Sequence, residues 1–176
     1  MIFVRAETEA DVPAVRQLNE LAFGRPQEAA LVDALRAAAH PHVSLVAVED
    51  GEVVGHIFFS PVSIEPDEPV STNAAAAGMA LGLAPMAVLP DQQNRGIGSQ
   101  LVREGLRACR SLGCEVVVVL GHPGYYPRFG FVTASRKGLR CEYDVPDEVF
   151  MATELSPGAL AGVRGLVKYH PAFGEV

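Results

Sequence analysis

From Val88 to Leu101 the chain reads Val88-Leu89-Pro90-Asp91-Gln92-Gln93-Asn94-Arg95-Gly96-Ile97-Gly98-Ser99-Gln100-Leu101. This is an apolar strand end, a short polar loop and a helix that opens on two glycines. The first turn of a helix has main-chain N–H groups without intrahelical partners, and the helix dipole makes that end positive. Glycines at 96 and 98 let an anion approach the backbone without meeting a Cβ. The segment can therefore cradle a phosphate or diphosphate, with Arg95 adjacent to add charge. A strand–loop–helix turn that needs two small residues only for packing fits the same letters. Two other phosphate layouts are excluded. A P-loop requires GxxxxGK[ST], and no lysine stands in the required place. The dinucleotide fingerprint requires a third glycine where this chain has Leu101.

The elements that must position this segment follow from periodicity. Phe3-Val4-Arg5 reads as a first strand. Thr8 with Asp11 is a capping box ahead of Val12, Val15, Leu18 and Leu21 at helical spacing, interrupted by Gly24 and Pro26. A second helix is expected from Pro26 to Ala39, with Ala29, Leu31, Val32 and Leu35 as its apolar stripe. Residues 43–48 and 53–59 read as a hairpin around an Asp-Gly step. The Pro-, Ser- and Ala-rich stretch 65–78 reads as an exposed loop. Strand 83–89 stops at Pro90, a helix runs from Gly96 to about Leu112, and Val116–Leu120 is apolar throughout, as a buried central strand is. A short helical turn at Tyr125-Tyr126, a strand at Gly130–Val132 and another at Glu148–Leu155 complete the pattern. The alternation predicts one α/β or α+β domain over residues 1–176.

With these residues in place, a resemblance becomes visible. Gln93-Asn94-Arg95-Gly96-Ile97-Gly98 resembles the Q/R-x-x-G-x-G/A motif of the GNAT acetyltransferase superfamily, and Tyr126-Pro127-Arg128-Phe129-Gly130-Phe131 resembles its Y-x-x-x-G-F element. One helix and one strand separate the two, as in the family. The resemblance covers residues from about 3 to 132. Gly121-His122-Pro123-Gly124-Tyr125-Tyr126 and the tail through Glu142-Tyr143 are similar to YhbS-type N-acetyltransferases. It implies a mixed, mostly antiparallel central sheet flanked by helices on both faces, with residues 133–176 as a tail on the core.

The resemblance also implies the chemistry. A neutral amine attacks the thioester of acetyl-coenzyme A directly, an oxyanion develops, and the coenzyme A thiolate leaves; a hydrogen-bond donor, a base and an acid assist. It implies that Gln93, Asn94, Arg95, Gly96, Ile97, Gly98 and Ser99 hold the diphosphate. Met86, Ala87 and Val88 bind the pantetheine arm through their main chain, with the Val88 N–H at the carbonyl. Tyr126 matches the tyrosine that protonates the departing sulfur, and a phenol keeps its proton at neutral pH. Strand 83–89 carries no carboxylate, so the base stays open among His122, His56 and a water chain. Arg128 is expected to contact phosphate or an acid. An acyl-coenzyme A sensor without turnover is the alternative to an enzyme.

Composition fits this reading. The chain has 176 residues, 49% hydrophobic and 20% charged, the profile of a packed domain. A net charge of −7 argues against a nucleic-acid partner. Met1-Ile2-Phe3-Val4 is too short for a signal peptide, and no run reaches the length of a membrane span. Cys109, Cys114 and Cys141 have no metal or disulfide spacing and read as reduced, mostly buried thiols of a cytoplasmic protein. No metal is expected. The acceptor amine is unidentified, and a homodimer is in keeping with small members of the family.

Overall fold

The computed structural model describes residues 1–68 and 78–175. The chain forms two compact units, one from Met1–Ser60, Ala84–Ala108 and His170–Val176, the other from Pro61–Leu83 and Cys109–Tyr169.

In the first unit, β1 (Ile2–Ala6) lies antiparallel to β2 (Val43–Glu49), which turns into β3 (Glu52–Pro66). The turn residues Asp50 and Gly51 have φ of 50° and 80°, the two positive values that a tight hairpin of this hand requires. Side chains alternate across this sheet. Val46, Val48 and Phe58 point to one face, where Val15 of α1 (Val12–Phe23) and Leu31, Val32 and Leu35 of α2 (Gln27–Ala38) bury them. Gly55 and Phe59 meet α3 (Ile97–Ser111) on the other. Helices thus cover both faces, as the strand alternation requires. Thr8 donates its main-chain N–H to the Asp11 carboxylate at 2.7 Å, heading a one-turn helix that leads into α1. α1 ends at Gly24, whose φ of 68° lets its N–H reach Glu20 O at 2.9 Å. Leu21 lies on α1 but faces solvent, unlike the rest of the expected stripe.

In the second unit, the first four residues of β4 (Ala80–Val88) pair in parallel with β5 (Val116–Leu120). β8 (Phe150–Glu154) runs antiparallel to β5, and β6 (Val132–Thr133) pairs with β8. A smaller set joins β7 (Leu139–Cys141) to β9 (Gly165–Lys168) in parallel, and β9 to residues 63–66 of β3. Val116, Val117, Val118 and Val119 are all buried, as their apolar run predicts.

Three expectations shift. β3 continues through Glu65 and Pro66, because β9 supplies a partner there; most of the expected 65–78 loop (69–77) lies outside the described residues. The strand expected at 130–132 begins only at Val132, since Gly130 closes a helical turn at φ 93°. The strand expected from Glu148 begins at Phe150, after a one-turn helix at Asp147–Val149. Cys109 and Cys114 are buried thiols and Cys141 is half-buried; none is in a disulfide.

Candidate active site

The loop between β4 and α3 is fixed by three sets of hydrogen bonds. Ala47 faces Gly55 while Val48 faces Val53, so β3 bulges at Val54. The Val54 carbonyl accepts the Leu89 N–H at 3.0 Å, which ties the end of β4 to the hairpin. Gln93 Nε2 donates to the Val88 carbonyl at 3.2 Å, folding the loop back on that strand end. Arg95 grips Glu49 with both terminal nitrogens at 2.8 Å. The positive charge expected in the cradle is therefore spent mainly on bracing the loop to the end of β2. That bond holds Glu49 below the usual carboxylate range.

Asn94 and Gly96 adopt the left-handed region, at φ 63° and 83°. A Cβ at Gly96 would meet no atom within 4 Å, so glycine there answers the backbone angle and not the packing. The first rung of the helix ladder is Gln100 N–H to Gly96 O at 3.0 Å, so the Ile97 and Gly98 amides precede it. α3 is seated on β3 by two close approaches. A Cβ at Gly55 would come to 3.0 Å from both Ile97 and Leu101, and one at Gly105 to 2.4 Å from the Phe59 ring. The helix tip is thus held by packing on a strand. The β4–β5 ladder covers Ala80–Leu83, two residues short of Pro85, and leaves Met86, Ala87 and Val88 outside it.

His122 and Tyr126 are brought onto one turn in the second unit. The His122 carbonyl accepts the Tyr125 N–H at 3.0 Å, and Tyr126–Phe129 then form a single helical turn. Gly130 lets Phe131 fold back beneath it, with the Tyr126 and Phe131 rings edge to face at 5.6 Å. Burial pushes the Tyr126 phenol up to about 12, reinforced by Tyr125. It stays protonated throughout the neutral range, as a proton donor must. His122 is exposed. Among the described residues Arg128 has no carboxylate within ion-pair distance: its Nε donates to the Tyr125 carbonyl at 2.9 Å and its guanidinium lies 4.7 Å from the centroid of the Tyr125 ring.

Gly121, to which the sequence assigns no role of its own, seats the tyrosine. A Cβ there would lie 2.3 Å from Tyr126 Cε2. Gly121→Ala should displace the ring and lower kcat at least tenfold, a part of the roughly hundredfold to ten-thousandfold that a positioned proton donor contributes. The KM for acetyl-coenzyme A should move far less, and steady-state kinetics separate the two.

His56, considered as a base, is instead sealed in the first unit at 0% exposure. Its Nε2 lies 2.9 Å from Ser44 Oγ and 3.3 Å from Glu7 Oε2. Ser44 donates to Glu7 at 2.8 Å, and Arg36 Nε does so at 2.6 Å. Asn19 Nδ2, facing His56 Nδ1 at 3.5 Å, assigns the proton to Nε2. Burial holds His56 below its usual pKa, against the pull of Glu7, so it is neutral. Burial alone would raise Glu7, but the bonds from His56, Arg36 and Ser44 outweigh it and bring the carboxyl to about 2. Both groups are depressed in the fold, so their stabilisation holds above their unfolded pKa values and is lost as pH falls. Tm should decline from about pH 6.5 downward and more steeply below pH 4.5. Glu7→Gln should lower stability at pH 7 by on the order of 3 kcal/mol and flatten the acid limb, as denaturant melts across pH would read. The polar cluster is a structural brace, which removes His56 as the base.

A strand, a pinned polar loop and a glycine-opened helix, with a tyrosine turn after the next strand, define an acetyltransferase. The acetyltransferase (GNAT) family model matches residues 12–131, and the chain belongs to that family. It is 36% identical over 175 residues to the uncharacterised N-acetyltransferase YhbS of Escherichia coli (strain K12), covering 99% of each chain. The crystal structure of Escherichia coli YhbS in complex with CoA superposes with a TM-score of 0.86 at 35% identity, covering 98% of this chain and 92% of that one. A GNAT family acetyltransferase from Brucella melitensis in complex with acetyl-CoA gives 0.77 at 38% identity, covering 98% of each chain. The fold is the mixed, mostly antiparallel sheet with helices that the motifs imply. Among the described residues no helix is long and apolar enough to cross a membrane, and no group of three or more His, Cys, Asp or Glu side chains is placed to hold a metal.

Proposed function

We propose that this chain transfers the acetyl group of acetyl-coenzyme A to a primary amine of a small molecule or peptide by direct attack. The observation that carries the reading is the tip of α3, where left-handed Gly96 leads into the Ile97 and Gly98 amides on a loop braced by Gln93 and Arg95. The diphosphate is held by Gln93–Ser99, and Arg95 acts chiefly by fixing the loop. The main chain of Met86–Val88 takes the pantetheine arm, with the Val88 N–H donating to the thioester carbonyl. Tyr126 gives its proton to the departing sulfur. With His56 sealed and strand β4 free of carboxylates, the exposed His122 takes the proton of the amine. The complexes of the Escherichia coli and Brucella melitensis relatives support the choice of co-substrate.

One domain over residues 1–176, a cytoplasmic location and pairing into a homodimer complete the proposal. A panel of amines assayed for thiol release tests it. Free coenzyme A should accumulate only when acetyl-coenzyme A and a competent amine are both present. Release at the same rate without any amine, or with none across the panel, would contradict transfer.

A further inference from the structure

A cavity of about 420 Å³ opens where β8 ends, lined by none of the residues assigned to acetyl transfer; Arg136, Lys137, Glu154, Leu160 and Arg164 are among the residues that line it. Its volume falls within the range of roughly 300–1,000 Å³ that small-molecule sites occupy. Glu154 pairs with Val116, the first residue of β5, whereas Gly121, the seat of Tyr126, follows Leu120, the last. The cavity and the tyrosine turn therefore belong to opposite ends of that strand, about 13 Å apart at 3.3 Å per residue.

The charges around it do not cancel. Lys137 Nζ meets Glu154 Oε1 at 2.9 Å, and Glu154 Oε2 accepts the Leu160 N–H at 2.9 Å. The carboxylate is thus consumed in shaping the wall. Among the described residues, neither Arg136 nor Arg164 has a carboxylate within ion-pair distance. Three cations against one carboxylate leave two positive charges, concentrated on a protein whose net charge is −7. Leu160, 4% exposed, adds an apolar wall. Gly138, at φ 82°, keeps the rim tight, since a Cβ there would lie 2.5 Å from the Val163 carbonyl.

We propose that this cavity binds a small-molecule phosphate monoester, its dianionic head on Arg136 and Arg164 and its apolar body against Leu160. Guanidinium groups present planar forks that match phosphate oxygens, and a dianion balances the two uncompensated charges. The binding is independent of acetyl transfer.

Phenyl phosphate is the probe, titrated into the labelled 176-residue chain with excess coenzyme A present, so that the transferase site is occupied. The amides of Gly138, Gly158 and Gly162 should shift together, with saturation below about 10 mM. Arg136→Gln and Arg164→Gln, both at exposed positions, should each weaken binding roughly tenfold while the rest of the spectrum is unchanged. Benzoate and inorganic phosphate should bind more weakly, and raising the salt should weaken phenyl phosphate binding. No shifts at about 10 mM, or equal affinity in both arginine variants, would overturn the site. Benzoate binding as tightly would overturn the dianion, and inorganic phosphate doing so would overturn the apolar body.

Discussion

Gly98→Val should cost coenzyme A affinity about a hundredfold or more, as measured by calorimetry. The variant puts a branched side chain at the helix tip, where the proposed binding mode would bring the diphosphate oxygens to the Ile97 and Gly98 amides. Each charged hydrogen bond lost is worth about 1.5–3 kcal/mol, so losing two suffices for that drop. The fold should tolerate the change. Gly98 is half-buried on the first turn of α3, where valine has the higher helix propensity, and the helix stays seated through Gly55 and Gly105. Melting temperature should therefore change little while affinity collapses. A variant that keeps both would show that the tip does not bind the diphosphate.

Tyr126→Phe should lower kcat by roughly a hundredfold to a thousandfold, within the range expected for a positioned general acid. Phenylalanine keeps the ring that packs on Gly121 and Phe131, so the turn survives and only the proton is lost. The KM for acetyl-coenzyme A should stay within about threefold, because the proposed diphosphate grip rests on other residues. The pH profile gives a second check. With the Tyr126 phenol raised to about 12 by burial, any alkaline limb below pH 10 belongs to another group and should persist in the variant. Equal losses in kcat and in cofactor affinity would make Tyr126 a packing residue.

What was legible in the sequence was local. The loop Gln93–Gly98 carries its geometry in neighbouring letters, and the apolar run Val116–Val119 needs no partner to announce burial. The Asp50-Gly51 turn and the Thr8–Asp11 box also act within four residues. What was hidden depends on distant partners. Arg95 meets Glu49 across 46 positions and His56 meets Ser44 across 12, so neither the brace nor the sealed histidine has a periodic mark. β7 and β9, of three and four residues, are too short for an alternation to stand out, and the far end of β3 exists because β9 pairs with it. Gly121 could have been noticed as a glycine ending an apolar strand before two tyrosines. Only the ring lying 2.3 Å from its missing Cβ explains it.

The most direct test is the response of main-chain amides to coenzyme A and to pantetheine in nitrogen–proton correlation spectra. Coenzyme A should move the Gly96, Ile97 and Gly98 amide signals strongly downfield, and pantetheine, which has no diphosphate, should leave those three in place. If coenzyme A saturates the protein while those amides stay still, the anion sits elsewhere and the acetyl-transfer site must be redrawn.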